Sequence, residues 1–257
     1  MQASPSILST KTLGDKARAY IQAQGWTLRE EDFIEIQGLF GYPGKNTMDQ
    51  PLLNAWWDKR KTFDDIHGFL NNEGVALFTS ENGVRNLPYP LDHDTLNTWS
   101  VACLPGKTLD AVHQRFREEQ VVQTAKNARE LADAIVKDGR FTKAVFFCAV
   151  DHLPDLPRIL RQAGIEVMEF PVYETTGTPK VIDTPYDAVL FFSPSGVSSF
   201  FQQNQLRPGT ICFAIGETTA ETIKDYTDER IIISESPTQD DLLTSVRFYY
   251  DNQQCYE

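Results

Sequence analysis

No stretch of this 257-residue chain stays apolar for long enough to cross a bilayer. The longest runs are of the kind Ala188-Val189-Leu190-Phe191-Phe192, far short of the roughly 20 residues a membrane helix needs. Such a length suits a strand buried on both faces. Export features are missing as well: Met1-Gln2-Ala3-Ser4-Pro5 carries no basic segment followed by an apolar one. Cysteine is scarce. Cys103, Cys148, Cys212 and Cys255 stand far apart without a C-x-x-C pair, and three of them lie in or beside apolar segments, as reduced core thiols do. These absences point to a cytoplasmic protein.

Positive charge is also in short supply, with 24 Lys and Arg against 36 Asp and Glu and a net charge of −12. That balance argues against nucleic acid and anionic membranes as partners, since both call for clustered cations. The familiar catalytic signatures are missing too. There is no G-x-S-x-G elbow, no Walker loop and no G-x-G-x-x-G after a strand. Gly106-Lys107-Thr108 ends like a phosphate loop, but Val101 stands where its first glycine would have to be. His67, His93, His113 and His152 lack metal-ligand spacing, Asp92-His93-Asp94 reads as a solvated loop, and Trp56-Trp57 reads as a packing anchor or domain-contact element.

What the chain does have is an alternation of short β-type runs with helical stretches, the pattern of a parallel α/β sheet. Strands are predicted at Ser6–Ser9, 26–36, 75–78, 99–102, 143–148, 166–173, 188–192, 210–215 and 230–233. A helix through Ala17, Tyr20 and Ile21 ends before Gly25, another ends before Gly164, and the last runs over about 239–250 behind Pro237-Thr238. The breaker-rich segment Gly38 to Gln50 reads as a loop or crossing.

An internal echo stands out. Phe78-Thr79-Ser80-Glu81-Asn82-Gly83-Val84 recurs as Phe192-Ser193-Pro194-Ser195-Gly196-Val197, with Ser80 matching Ser193. Downstream, Pro105-Gly106-Lys107-Thr108 is echoed by Gly216-Glu217-Thr218-Thr219. A repeat of strand, polar turn and helix predicts two similar domains.

These turns are the candidate site. Ser193-Pro194-Ser195-Gly196, between a buried strand and a helix, offers hydroxyls and free backbone N–H groups that bind carboxylates without a Lys or Arg; taken alone, it reads as an ordinary N-cap. Thr218 and Thr219 follow the next strand at the same sheet edge, and Thr79, Ser80 and Asn82 form a third cluster. Tyr173, at a strand end, has a phenol able to protonate a departing hydroxyl, although on residue type alone it reads as core packing.

Val189 to Val197, Ala214 to Ala220, and Pro237-Thr238 with Leu242-Leu243 together resemble the C-terminal half of uroporphyrinogen-III synthases. Val172-Tyr173-Glu174-Thr175 resembles the strand that returns between that family's domains. Phe78-Thr79-Ser80 with Asn82 and Val84 matches its other half. The resemblance spans nearly the whole chain. It implies two flavodoxin-like α/β domains joined by a two-stranded linker, with residues 1–36 plus 174–257 in one and 37–173 in the other. It also implies conversion of hydroxymethylbilane to uroporphyrinogen III in the cleft between the domains. No metal or organic cofactor is implied, and a monomer is favoured. In that chemistry the terminal hydroxyl leaves to give an azafulvene, ring D attacks through its substituted carbon, and a spiro intermediate fragments and recloses with ring D inverted. Tyr173 aligns with the tyrosine held to assist hydroxyl departure. Thr79, Ser80, Asn82, Ser193, Ser195, Gly196, Thr218 and Thr219 would hold substrate carboxylates. The chain departs from the usual pattern at Thr10-Lys11-Thr12 and Ala149-Val150-Asp151, where many relatives place an arginine. The competing expectation is a non-catalytic relative that binds a tetrapyrrole or another acidic ligand.

Overall fold

The structure is a computed structural model and describes residues 4–39, 63–70, 73–87 and 98–252. Trp56-Trp57, Asp92-His93-Asp94, Cys255, most of the 38–50 segment and the His67 side chain lie outside the described residues. The chain divides into two compact units, a first formed by Met1–Glu35 with Thr176–Glu257 and a second formed by Ile36–Thr175. Among the described residues no helix is long and apolar enough to cross a membrane.

The elements in chain order are β1 (Ser6–Ser9), α1 (Asp15–Ala23), β2 (Thr27–Glu30), β3 (Ile34–Gly38), α2 (Phe63–Leu70), β4 (Gly74–Phe78), α3 (Glu81–Arg85) and β5 (Ser100–Cys103). They continue with α4 (Lys107–His113), β6 (Val121–Thr124), α5 (Ala128–Asp138), β7 (Lys143–Ala149), α6 (Asp155–Gln162) and β8 (Glu166–Gly177). The last are β9 (Ala188–Phe191), α7 (Pro194–Phe201), β10 (Ile211–Ala214), α8 (Glu217–Lys224), β11 (Ile231–Ile233) and α9 (Gln239–Asp251). One sheet has the order β11-β10-β9-β1-β2, the other β3-β8-β7-β4-β5-β6. The β1–β2, β1–β9, β9–β10, β10–β11, β4–β5, β4–β7, β5–β6 and β7–β8 pairings are all parallel. The predicted α/β class with parallel sheets is the one observed.

Both sheets are covered on both faces, which is why their central strands read as unbroken apolar runs. Along β9, Ala188 and Leu190 join one core while Val189 and Phe191 join the opposite one. Along β4, Ala76 and Phe78 face one way and Val75 and Leu77 the other. The ring of Phe147 stacks with Phe78 at 5.1 Å and with Trp99 at 5.7 Å between centroids. Each such buried ring contributes about 1.5–3 kcal/mol relative to exposure.

The two sheets share one strand order entered at different points. In the first, β1 leads outward to β2 while β9 leads the other way to β10 and β11. In the second, β7 leads to β8 while β4 leads to β5 and β6, so β4, β5, β6, β7 and β8 correspond to β9, β10, β11, β1 and β2. The second unit is thus a cyclic permutation of the first, with β3 added beside β8. This places the echoed turns after matching strands.

One expected strand is broken. The predicted run over 26–36 is two strands, β2 and β3, in different sheets. Phe33 causes the break: it is fully buried against Phe200 and Leu8 of the first unit. Around it the backbone turns to other partners, the Phe33 N–H donating to Thr10 O and the Phe33 carbonyl accepting from Thr178 N–H at 2.9 Å. The β8 strand also runs four residues past Tyr173. The element pair β6 and α5 has little signal in the sequence, since β6 is a half-buried four-residue strand at the sheet edge.

Candidate active site

In open parallel sheets, ligands bind outside the carboxyl ends of the strands, where neighbouring strands lead off in opposite directions. In the second unit that point lies between β4 and β7, in the first between β1 and β9. The predicted site residues follow these strands and their neighbours.

In the second unit, Thr79 and Ser80 follow β4 and are half-buried. Ser80 is the N-cap of α3, and its hydroxyl accepts from Asn82 N–H at 3.1 Å. Gly83 allows α3 to come down on β7, because a Cβ there would lie 2.7 Å from the Phe147 carbonyl oxygen. Tyr173 reaches the same place from β8. Its phenol comes near enough to the Ser80 hydroxyl for the two to interact, and its carbonyl accepts from Val150 N–H at 3.0 Å. A bulge between Cys148 and Ala149 sets Ala149 opposite Tyr173. Thr79, Ser80, Asn82 and Tyr173 are therefore brought together, although 91 positions separate Asn82 from Tyr173.

Tyr173 is buried, only 8% exposed, with one side in the core around Phe147 and Phe170. Burial pushes its phenol up from the ordinary tyrosine value. The nearby Ser80 hydroxyl works against that shift, while Cys148 and the Asp151 carboxylate add to it. The phenol therefore keeps its proton at neutral pH, as a donor must.

In the first unit, Ser193 is the N-cap of α7 in an extended conformation, and its hydroxyl accepts from Gly196 N–H at 3.1 Å. Its oxygen lies 3.2 Å from the Ser195 hydroxyl. Gly196 is buried, and a Cβ there would come within 3.2 Å of the Ser193 hydroxyl. No acidic side chain occupies the first turn of α7. Thr10, after β1, is tied in by two bonds to the Leu190 carbonyl, from its N–H at 3.0 Å and its hydroxyl at 2.8 Å. Thr218 and Thr219 follow β10, the strand beside β9, but they differ: Thr218 is exposed while Thr219 is 4% exposed and turned into the fold. Of the pair, Thr218 is the one presented to solvent.

The match over residues 51–244 is to the family model described as uroporphyrinogen-III synthase HemD. The chain belongs to the uroporphyrinogen-III synthase family. Structural similarity runs along the whole fold. A uroporphyrinogen-III synthetase from Helicobacter pylori is 14% identical, with 95% of this chain and 99% of that one covered at a TM-score of 0.60. A mutant uroporphyrinogen III synthase from Thermus thermophilus is 13% identical, with 96% and 99% covered at a TM-score of 0.56. At such identities the likeness concerns the fold. No curated protein sequence matches the chain.

One group in this member of the uroporphyrinogen-III synthase family has no signature in the sequence. His152, three residues beyond β7, places Nε2 2.7 Å from the Glu169 carboxylate of β8. Glu169 also receives Arg161 of α6 at 2.5 Å. No spacing rule joins His152 to Glu169. They meet because β7 and β8 are parallel neighbours, which brings the end of one near the middle of the other. Among the described residues, no three His, Cys, Asp or Glu side chains form a group able to hold a metal ion.

Proposed function

We propose that this chain is a uroporphyrinogen-III synthase, a cyclising lyase that converts hydroxymethylbilane to uroporphyrinogen III with loss of water. The observation that carries the reading is the Tyr173–Ser80 pair at the point where β4 and β7 diverge, in a chain of this family. The protonated phenol serves the first step. The C–O bond of the terminal hydroxymethyl group breaks, the oxygen leaves as water with the Tyr173 proton, and the pyrrole N–H returns a proton as the azafulvene forms. Ring D then adds through its substituted carbon, and the spiro intermediate fragments and recloses with that ring inverted. Neither oxidant nor reductant enters the balance.

The rest of the task is conformational. A bilane closes unaided to the uninverted isomer, so the protein has to hold it for the more crowded attack. Ser193, Ser195, Gly196 and Thr218, with Thr79, Ser80 and Asn82, serve as carboxylate holders through hydroxyls and helix-start N–H groups. Such neutral donors suit a chain poor in cations. The working form is a cytoplasmic monomer whose partner is the bilane, without nucleic acid or membrane.

The test is to supply fresh hydroxymethylbilane, oxidise the products and separate isomers I and III. Mostly isomer III bears out the reading; isomer I alone, at the rate without protein, would leave a non-catalytic acidic-ligand binder in its place.

A further inference from the structure

The strands that diverge in the first sheet, β1 and β9, end in turns whose donors are used differently. After β9, the Ser193 and Ser195 hydroxyls stand together, with no acidic side chain in the first turn of α7. After β1, each backbone N–H from Thr12 to Gly14 is taken up by a side chain of the same unit. Thr12 donates its N–H to Asp32 Oδ1 at 2.7 Å and its hydroxyl to Oδ2 at 2.8 Å. Leu13 N–H donates to Glu30 Oε1 at 2.6 Å, and Gly14 N–H to Gln239 Oε1 at 3.3 Å.

The Asp32 carboxylate is gripped here as a ligand's would be. One N–H and one hydroxyl take its two oxygens, and bonds to an ionised acceptor are about twice as strong as neutral ones. The chain delivers both acids from the end of β2. Glu30 is the last residue of that strand, and Asp32 stands next to the buried anchor Phe33. Arg18 of α1 holds Glu30 at 3.2 Å, and the Thr178 hydroxyl donates to the Asp32 carbonyl at 3.0 Å. A further carboxylate brought to this turn meets spent donors and two acidic side chains, which is how a site rejects a ligand.

We propose that Asp32, backed by Glu30, seals the turn after β1 against substrate carboxylates, so that of the two diverging turns only the one after β9 receives them. The proposal rests on the synthase reading and makes Asp32 a specificity-determining residue. A bilane carries carboxylates on every ring and can therefore settle in several registers. Only one of these presents ring D for attack through its substituted carbon. Filling one turn from within removes the registers that would use it.

Two substitutions separate a seal from an ordinary cap. Asp32→Ala frees the Thr12 N–H and hydroxyl, and because Asp32 is exposed the core is left intact. Asp32→Asn keeps the turn filled without the charge, its amide oxygen accepting from Thr12 N–H and its NH₂ donating to the hydroxyl oxygen. Acetate is the probe. In Asp32→Ala the Thr12 amide resonance should shift saturably with acetate and the melting temperature should rise with it. Neither should move in the wild type or in Asp32→Asn. With hydroxymethylbilane, Asp32→Ala should also bind substrate in unproductive registers, which lowers kcat and KM for isomer III by the same factor. That factor is roughly tenfold, the worth of one hydrogen bond to a charged group. Asp32→Asn should match the wild type. Loss of a cap alone would lower the melting temperature without an equal fall in KM. A Thr12 amide that ignores acetate in Asp32→Ala overturns the seal. An acetate shift with kcat and KM both unchanged overturns its role in the reaction. Isomer I alone from the wild type overturns the synthase reading, and the acetate shift then decides the seal by itself.

Discussion

The turn after β4 and the turn after β9 share a scaffold and differ in what surrounds it. Each begins with a serine N-cap in extended backbone, Ser80 at φ −146° and Ser193 at φ −163°. Each follows one of the two strands that diverge in its sheet. Around Ser193 stand Ser195, Gly196 and Thr10, all neutral and unable to exchange a proton near neutral pH. Around Ser80 stand a buried phenol, the Asp151 carboxylate and, one segment on, the His152–Glu169–Arg161 group. In the proposed function, one scaffold used twice serves binding alone in the first unit and binding together with proton transfer in the second. The difference comes from the strand following the divergence: β8 carries Tyr173, while its counterpart β2 is the short segment Thr27–Glu30.

The largest expected effect breaks the comparison at its centre. Tyr173→Phe keeps the buried ring and removes the proton, so kcat should fall about a hundredfold, the lower range for a lost general acid. Thermal melting and product affinity should stay near wild type. A variant with unchanged turnover would leave the two turns equivalent. Gly83→Ala comes next. The added methyl meets the Phe147 carbonyl of β7 at 2.7 Å, backbone that cannot swing aside, and should destabilise the second unit by about 2 kcal/mol. The cysteines sharpen the reading of that experiment. Burial pushes the thiol of Cys103, in the second unit, up to about 11 and that of Cys212, in the first, up to about 12. Each should react with an alkylating agent only as its own unit opens. Gly83→Ala should speed labelling of Cys103 and leave Cys212 unchanged, as peptide mass spectrometry would reveal; equal acceleration would mean that the units open as one. Smallest is Ser193→Ala, which removes the cap on Gly196 N–H and should cost about 1 kcal/mol of stability. Its functional effect should fall on KM, with kcat nearly kept, and a loss confined to kcat would put Ser193 in the chemistry.

Much of the fold could be read from the order of residues because parallel strands buried on both faces are continuous apolar runs. Val75–Phe78, 143–148 and 188–192 are legible for that reason. The break at Phe33 is marked in the sequence only by the charged run Arg29-Glu30-Glu31-Asp32, and it takes the core of the first unit to turn this side chain inward. The edge strand Val121–Thr124 escaped because a half-buried strand lacks such a run. The echo of Ser80 in Ser193 was legible as a pair of turns, and its topological basis became visible only with the strand order. Thr219 illustrates a limit of motif reading. It shares a motif with Thr218, but helix rotation buries one and exposes the other. His152 and Glu169 meet only because neighbouring strands hold them in register, which no local pattern encodes.

The most direct test of the central claim is an isomer-resolved turnover assay of the wild type beside Tyr173→Phe and Ser193→Ala. Isomer III is expected from all three, with kcat collapsing in Tyr173→Phe and KM rising in Ser193→Ala. Equal kcat in the wild type and Tyr173→Phe, or isomer I alone from the wild type, would contradict the assignment of proton transfer to the second unit.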